Sequence, residues 1–187
     1  MTNVGHVHNM VFGPLKIRLY GDPCLEAKSR PVKEVGPVER MLIAAMFETM
    51  EAYKGVGLAA PQVGINEQIF VVDTGKEVFV AINPKIIKSA GTELMEEGCL
   101  SIPRVLVDVK RPKTVWVEFT DQENRVVRVQ LNGLVGRVFQ HEFDHLQGKL
   151  ILDYLPPKDR LRITSQIKKG SYTGNVLGDE DGNTRKI

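Results

Sequence analysis

Apolar residues change their spacing several times along this chain, and each spacing predicts an element. After Val38 the recurring positions are Met41, Leu42, Ala45, Met46, Thr49, Met50 and Tyr53, the rhythm of an amphipathic helix. Gly55 and Gly57 end it. Shorter apolar runs bounded by turn residues predict strands at Ile69 to Asp73, Val78 to Asn83, Ile86 to Leu94 and Val105 to Val109. Val115 to Thr120 and Val126 to Leu131 flank Asp121-Gln122-Glu123-Asn124 and read as a hairpin, with Trp116 packing on it. Leu15 to Tyr20 alternates weakly and predicts a short extended segment. Gly21-Asp22-Pro23 reads as a turn, and Ser29 to Pro37, with its prolines, as a loop.

A second helical rhythm opens at Asn132-Gly133, with Val135, Val138, Phe139 and Leu146 as its apolar surface and Gly148 as its stop. Ile151 to Tyr154 reads as short and extended. Asp159 to Lys169 reads as a basic amphipathic helix. The pattern predicts an α+β fold: antiparallel strands packed around a central helix, with a helix near the C-terminus. One domain across 1–187 is expected, with residues 1–14 and 170–187 as mobile tails.

Composition narrows the function. Net charge is +2, so basic and acidic residues nearly balance and nothing points to DNA or RNA as the main ligand. No apolar run is long enough to cross a bilayer. The N-terminus lacks the pattern of a secretory signal and the arginines of a transit peptide. A cytoplasmic protein is expected, organellar only if a transit peptide has been removed, and a monomer. The cysteines are Cys24 and Cys99. A reducing compartment is the economical reading, with Cys24 an inert filler and Cys99 available as a ligand. His6 and His8 belong to the expected mobile end.

The helix after Gly133 carries the chemistry. Gln140-His141-Glu142-Phe143-Asp144-His145 contains His-Glu-x-x-His, and residues four apart project from one helix face. Two imidazoles there can grip one divalent metal, with Glu142 in reach of water activated by it. A hydrolytic metal takes a third protein ligand, and Cys99 in Glu-Glu-Gly-Cys-Leu-Ser-Ile-Pro is the candidate. Gly55-Val-Gly-Leu-Ala-Ala-Pro-Gln62-Val-Gly has one polar side chain amid apolar neighbours, and that amide can donate to a developing oxyanion. A zinc endopeptidase also uses His-Glu-x-x-His, but takes its third ligand downstream, where Asp153 and Asp159 make no convincing partner. A silent metal-binding or ribosome-associated module would lack Glu142 or Gln62, and both are present.

The segments GVGLAAPQVG, EEGCLSIP and QHEFDHLQG, in that order, resemble the signature motifs of peptide deformylase, and the resemblance runs from about Leu15 to about Pro156. It implies hydrolytic removal of the formyl group from the N-terminal methionine of new polypeptides, releasing formate. Water activated at the metal attacks the formyl carbonyl, with Glu142 as general base and then acid. The resemblance implies Fe2+ as the ion, with Zn2+, Ni2+ or Co2+ as alternatives. It implies the backbone N–H of Leu100 as a second oxyanion donor beside Gln62. It places Val56, Gly57, Glu97, Gly98, Leu134, Arg137 and Val138 around the substrate, with the backbones of Val56 and Gly98 pairing with it as an added strand. It pairs Glu97 with Arg111. Arg137 stands where many bacterial members carry an apolar residue; its stem is expected to line the pocket with its head in solvent. Asp144 either orients a neighbour of the metal ligands or is solvated. The basic terminal helix, with Lys158, Arg160, Arg162, Lys168 and Lys169, is a candidate ribosome contact, against the blander reading of a solvated face.

Overall fold

The computed structural model describes residues 14–170. The expected mobile tails, apart from Pro14 and Gly170, lie outside the described residues, as do His6 and His8. The elements in order are α1 (Pro37–Ala52), β1 (Gly57–Ala59), β2 (Ile69–Asp73), β3 (Val78–Ala90), β4 (Glu93–Cys99), β5 (Ile102–Arg111), β6 (Thr114–Thr120), β7 (Val126–Asn132), α2 (Gly133–Leu146) and α3 (Pro157–Lys168). The fold is α+β. A five-stranded antiparallel sheet runs β1-β2-β3-β6-β7, and β4 and β5 form a separate hairpin.

The unbroken apolar run of β2 follows from burial on both faces. Ile69 and Val71 point to α1, where Ile43, Met46 and Met50 meet Leu58, Val80 and Ile82. Phe70 and Val72 point to α2, where Val135, Val138, Phe139 and Leu146 meet Ala81, Val115, Val117, Phe119 and Leu131. Phe70 meets Phe139 edge to face at a 5.0 Å centroid distance. The sheet is thus sandwiched between α1 and α2. A third cluster joins Val105, Val107 and Val109 of β5 to Cys99, Ile151, Leu152 and Ile163. Cys99 therefore belongs to the hairpin layer and the histidines to the central helix.

Three expectations need correction. The buried face of α1 is Ile43, Ala45, Met46, Thr49 and Met50, so the expected rhythm holds except that Ile43 joins it and Met41 and Tyr53 are exposed. The expected strands at Val78–Asn83 and Ile86–Leu94 are largely one strand, β3, interrupted by shifts in its register with β6. Asn83 and Pro84 cause the interruption. Asn83 has φ 51, its amide grips both backbone groups of Val32, and Pro84 has no N–H for a ladder, so a bulge accommodates both. Leu94 belongs to β4 instead. Finally, Ile151–Tyr154 is a turn of 3-10 helix, held by Asp153 accepting from the Leu150 N–H at 2.7 Å. Leu15 to Tyr20 joins no strand, but Arg18 donates to the Gln62 carbonyl and Tyr20 to that of Ser101, tying this segment to both loops of the site. Among the described residues no helix is long and apolar enough to cross a membrane.

Candidate metal centre and active site

α2 holds its position through close backbone packing. A Cβ at Gly136 would lie 3.1 Å from the Leu131 carbonyl group, so the helix starts hard against β7. It ends at Gly148, whose φ of 70 suits glycine and whose Cα faces the Glu26 backbone too closely for any side chain. Between these points His141, Glu142 and His145 are all buried. Cys99 comes to them from the tight turn where β4 passes into β5, with Cys99 opposite Ile102.

The sulfur and the two imidazoles converge: the potential ligand atoms of Cys99, His141 and His145 lie within 4.8 Å of one another. Cys99 Sγ is 3.3 Å from His145 Nε2. Cys24 and Cys99 are both free thiols, so no disulfide removes the ligand. Burial and the neighbouring Asp22 push the Cys24 thiol up to about 11, in keeping with an inert filler.

The His141 tautomer follows from its neighbour. Glu97 Oε2 lies 3.0 Å from Nδ1, and a carboxylate only accepts, so Nδ1 carries the proton and Nε2 presents its lone pair. That Nε2 is buried with no hydrogen-bond partner among the described residues, which suits a metal-ligating atom. A thiolate and two imidazole nitrogens form a donor set for a borderline divalent ion such as iron or zinc.

Glu97 is fully buried and fully bonded. Oε1 accepts from Arg111 Nε at 2.7 Å and Arg137 Nη1 at 2.9 Å; Oε2 accepts from Arg111 Nη2 and His141 Nδ1, each at 3.0 Å. Burial alone would raise its pKa, but the His141 and Arg111 bonds win and hold it at about 2. The same surroundings act on His141: without a bound ion, burial opposes its charge, yet Cys99 and Glu97 raise its pKa to about 10, so Nε2 gives up a proton when it ligates. His145 is pushed well below the usual histidine range by burial, then by His141 and Arg111.

Glu142 is the opposite case. Both its oxygens are buried without a hydrogen-bond partner among the described residues, and burial raises it to about 7. Its carboxylate packs against Gly57 so closely that no Cβ fits there. Gln62 is also buried. Its Oε1 accepts from the Ala59 N–H at 2.8 Å, which forces Nε2 toward Cys99 Sγ at 3.6 Å and Ser101 Oγ at 3.3 Å.

The other expected residues divide by position. Leu100 adjoins Cys99 and is largely buried. Gly57 is buried against Glu142 and Val138, Val56 is buried in the same core cluster as Val138, and Gly98 immediately precedes the Cys99 turn. Leu134 lies a turn before Val138 and is 45% exposed. The Glu97–Arg111 pair forms and is buried, not a surface contact. Arg137 requires a correction. It is 2% exposed, and its head does not reach solvent. Nη1 donates to Glu97 and to the Val109 carbonyl at 2.9 Å, and Nη2 donates to the Glu93 carbonyl at 3.0 Å.

Asp144 orients rather than merely solvates. It accepts from Arg111 Nη1 and from the Tyr154 hydroxyl, both at 2.7 Å. Tyr154 escaped the sequence reading because only the 3-10 turn brings it under Arg111. Ser101 escaped as well, though its place in the same motif as Cys99 was a signal. On α3 the basic face is thinner than its residues suggest, since Arg160 pairs with Asp153 and Arg162 with Asp159.

The family described as Polypeptide deformylase matches residues 14–161. A peptide deformylase of Thermotoga neapolitana is 44% identical over 153 residues, spanning 81% of this chain and 93% of the relative. A peptide deformylase structure from Legionella pneumophila is similar with a TM-score of 0.80 at 36% identity, covering 84% of this chain and 95% of that one. One from Ehrlichia chaffeensis, solved in complex with actinonin, gives 0.81 at 33% identity, covering 87% and 100%.

Proposed function

The chain belongs to the peptide deformylase family, and on that premise we propose how its residues release formate from the N-formylmethionine that begins a new polypeptide. The observation that carries the reading is the buried, unpartnered Glu142 carboxylate beside the convergent atoms of Cys99, His141 and His145. Those three residues would hold a divalent ion, which when bound polarises the formyl carbonyl and lowers the pKa of water.

Glu142 then has a defined task. It takes a proton from the attacking water and passes it to the leaving nitrogen as the C–N bond breaks. A carboxyl with a pKa near 7 suits both halves of that transfer. The carbonyl oxygen gains negative charge as water adds. The Gln62 amide and the Leu100 backbone N–H are the donors assigned to it, each contributing about 3 kcal/mol.

The peptide would lie between two sheet margins. Among the described residues β1 is an edge strand of the large sheet and β4 pairs only with β5, so both leave backbone groups for an added strand. Val56 and Gly57 would meet the substrate on one side and Gly98 on the other. Leu134 and Val138 would contact the methionine side chain, with Glu97 and the head of Arg137 behind the wall. The reading takes 1–187 as one catalytic domain. It assigns Fe2+ as the working ion and the cytoplasm, where new chains emerge, as the compartment. Contact between α3 and the ribosome is not part of it.

The test is formate release from formyl-Met-Ala-Ser. Wild type releases formate; Glu142→Ala retains its metal and loses nearly all activity. Cleavage of internal peptide bonds by wild type would support the endopeptidase reading instead. Metal analysis of protein purified without oxygen identifies the ion.

A further inference from the structure

We propose that Arg137 is a positioning residue for the metal centre, clamping Glu97 onto His141 and tying the thiolate-bearing hairpin to the histidine-bearing helix. The inference rests on the metal-centre reading and goes beyond it.

A guanidinium on the inward side of a central helix needs a reason. Removing it from water costs several kcal/mol unless every donor finds a partner. Arg137 spends its donors across three places. Nη1 reaches Glu97 Oε1 and the Val109 carbonyl of β5; Nη2 reaches the Glu93 carbonyl of β4. One side chain from α2 therefore bridges both strands of the hairpin that carries Cys99. The hairpin pairs with no strand of the large sheet, so cross-links of this kind set its distance from α2.

The second effect is on Glu97. Its Oε1 is shared between Arg111 Nε and Arg137 Nη1, and Oε2 between Arg111 Nη2 and His141 Nδ1, so each oxygen is held by two donors and the carboxylate cannot rotate away from Nδ1. With Arg137 absent, Oε1 would keep only Arg111 Nε, and Arg111, whose Nη1 is tied to Asp144, would be the single guanidinium fixing the carboxylate. Arg111 and Arg137 face the carboxylates of Glu97 and Asp144 and, 3.9 Å from Arg137 Nη2, that of Glu93. Losing Arg137 leaves an excess negative charge next to His141, in a buried site where it is poorly screened.

The experiment compares wild type, Arg137→Met and Arg137→Lys, with Val80→Ala as a control. Val80 belongs to the other core cluster, facing α1. The readouts are Zn2+ affinity by chelator competition and the visible spectrum of the Co2+-loaded protein, together with thermal unfolding. Arg137→Met should bind Zn2+ roughly 10- to 100-fold more weakly, the usual effect of removing a group that orients a metal ligand. Its Co2+ bands should shift. Arg137→Lys keeps the charge but, with a single nitrogen, cannot span Glu97, Val109 and Glu93 together, so it should fall between the two. Val80→Ala, whatever heat stability it loses, should bind Zn2+ like wild type. Wild-type affinity and an unchanged Co2+ spectrum in Arg137→Lys, with or without a folded Met variant, would overturn the role of Arg137. Failure of wild type itself to bind Zn2+ would overturn the metal-centre reading beneath it.

Discussion

Gly57→Ala is a one-methyl perturbation aimed at the general base. The added Cβ would lie 2.7 Å from Val138 Cγ1 and 2.9 Å from Glu142 Cδ, and closer still to Glu142 Oε1. Ordinary carbon contacts are about 3.5–4.0 Å, so the Glu142 carboxylate, the Val138 side chain or β1 must yield by roughly 1 Å. Val138 is fully buried against the sheet, and β1 is paired with β2, with Gly57 opposite Val72. The unbonded carboxylate is the softest of the three. A misplacement of about 1 Å in a catalytic group costs on the order of 100-fold in rate, or about 3 kcal/mol of barrier.

Folding should suffer less. Replacing glycine by alanine stiffens the unfolded chain, a gain of about 0.4–1 kcal/mol, against an overpacking cost of about 1–3 kcal/mol. The assay is kcat/KM for formyl-Met-Ala-Ser, with metal content and urea unfolding measured on the same preparation. The expected result is a folded enzyme with its full metal complement and a large fall in kcat. Activity within a few-fold of wild type would refute the placement of Glu142 against Gly57. So would an activity loss that merely follows loss of metal.

Glu142→Gln should stabilise the metal-free protein at high pH. The folded-state pKa near 7 exceeds the usual 4.5, so ionising Glu142 costs stability as pH rises between these values, up to about 3 kcal/mol; urea midpoints should separate at pH 8 and coincide at pH 4, and equal gaps at both would count against it. Glu97 has the opposite sign: a folded pKa near 2 gives about 3 kcal/mol that is present above 4.5 and lost as pH falls toward 2. The stability gap between metal-free wild type and Glu97→Gln should therefore close across that window, and parallel curves would contradict it. Tyr154→Phe removes the hydroxyl that donates to Asp144 and accepts from Arg111; the loss should be about 1 kcal/mol in urea unfolding, with kcat little changed.

The convergence of Cys99, His141 and His145 was readable because the candidate residues are packed into contiguous motifs. His-Glu-x-x-His needs only helical spacing to bring its histidines together, and α2 forms where the apolar rhythm puts it. The hairpin of β6 and β7 was equally legible, since alternation and a polar turn are local signals. What escaped depended on distant backbone. Arg137 turns inward because the Val109 and Glu93 carbonyls wait there, and no local pattern announces them. The continuity of β3 through Asn83-Pro84 depends on Val32, some fifty residues away in the chain, receiving the Asn83 amide. The apolar face of α1 was assigned by spacing alone; Ala45, Met46, Thr49 and Met50 are buried as that spacing predicts, and the sheet adds Ile43 while leaving Met41 and Tyr53 exposed.

Glu97 and Glu142 show how one helix neighbourhood gives two identical functional groups different work. Both are buried and both lie near His141. Glu97 is enclosed by two guanidiniums and an imidazole N–H, so its proton is unavailable near neutrality and it can only accept and orient. Glu142 lies buried against the bare Cα of Gly57 with no hydrogen-bond donor on either oxygen among the described residues, so its charge is poorly supported and its proton affinity rises into the working range. Exchanging the environments would leave a metal centre without an orienting anion and a base without basicity. The glycine in the first motif and the arginine in the central helix therefore serve a common end: one leaves room for the Glu142 carboxylate, and the other helps keep Glu97 fully partnered.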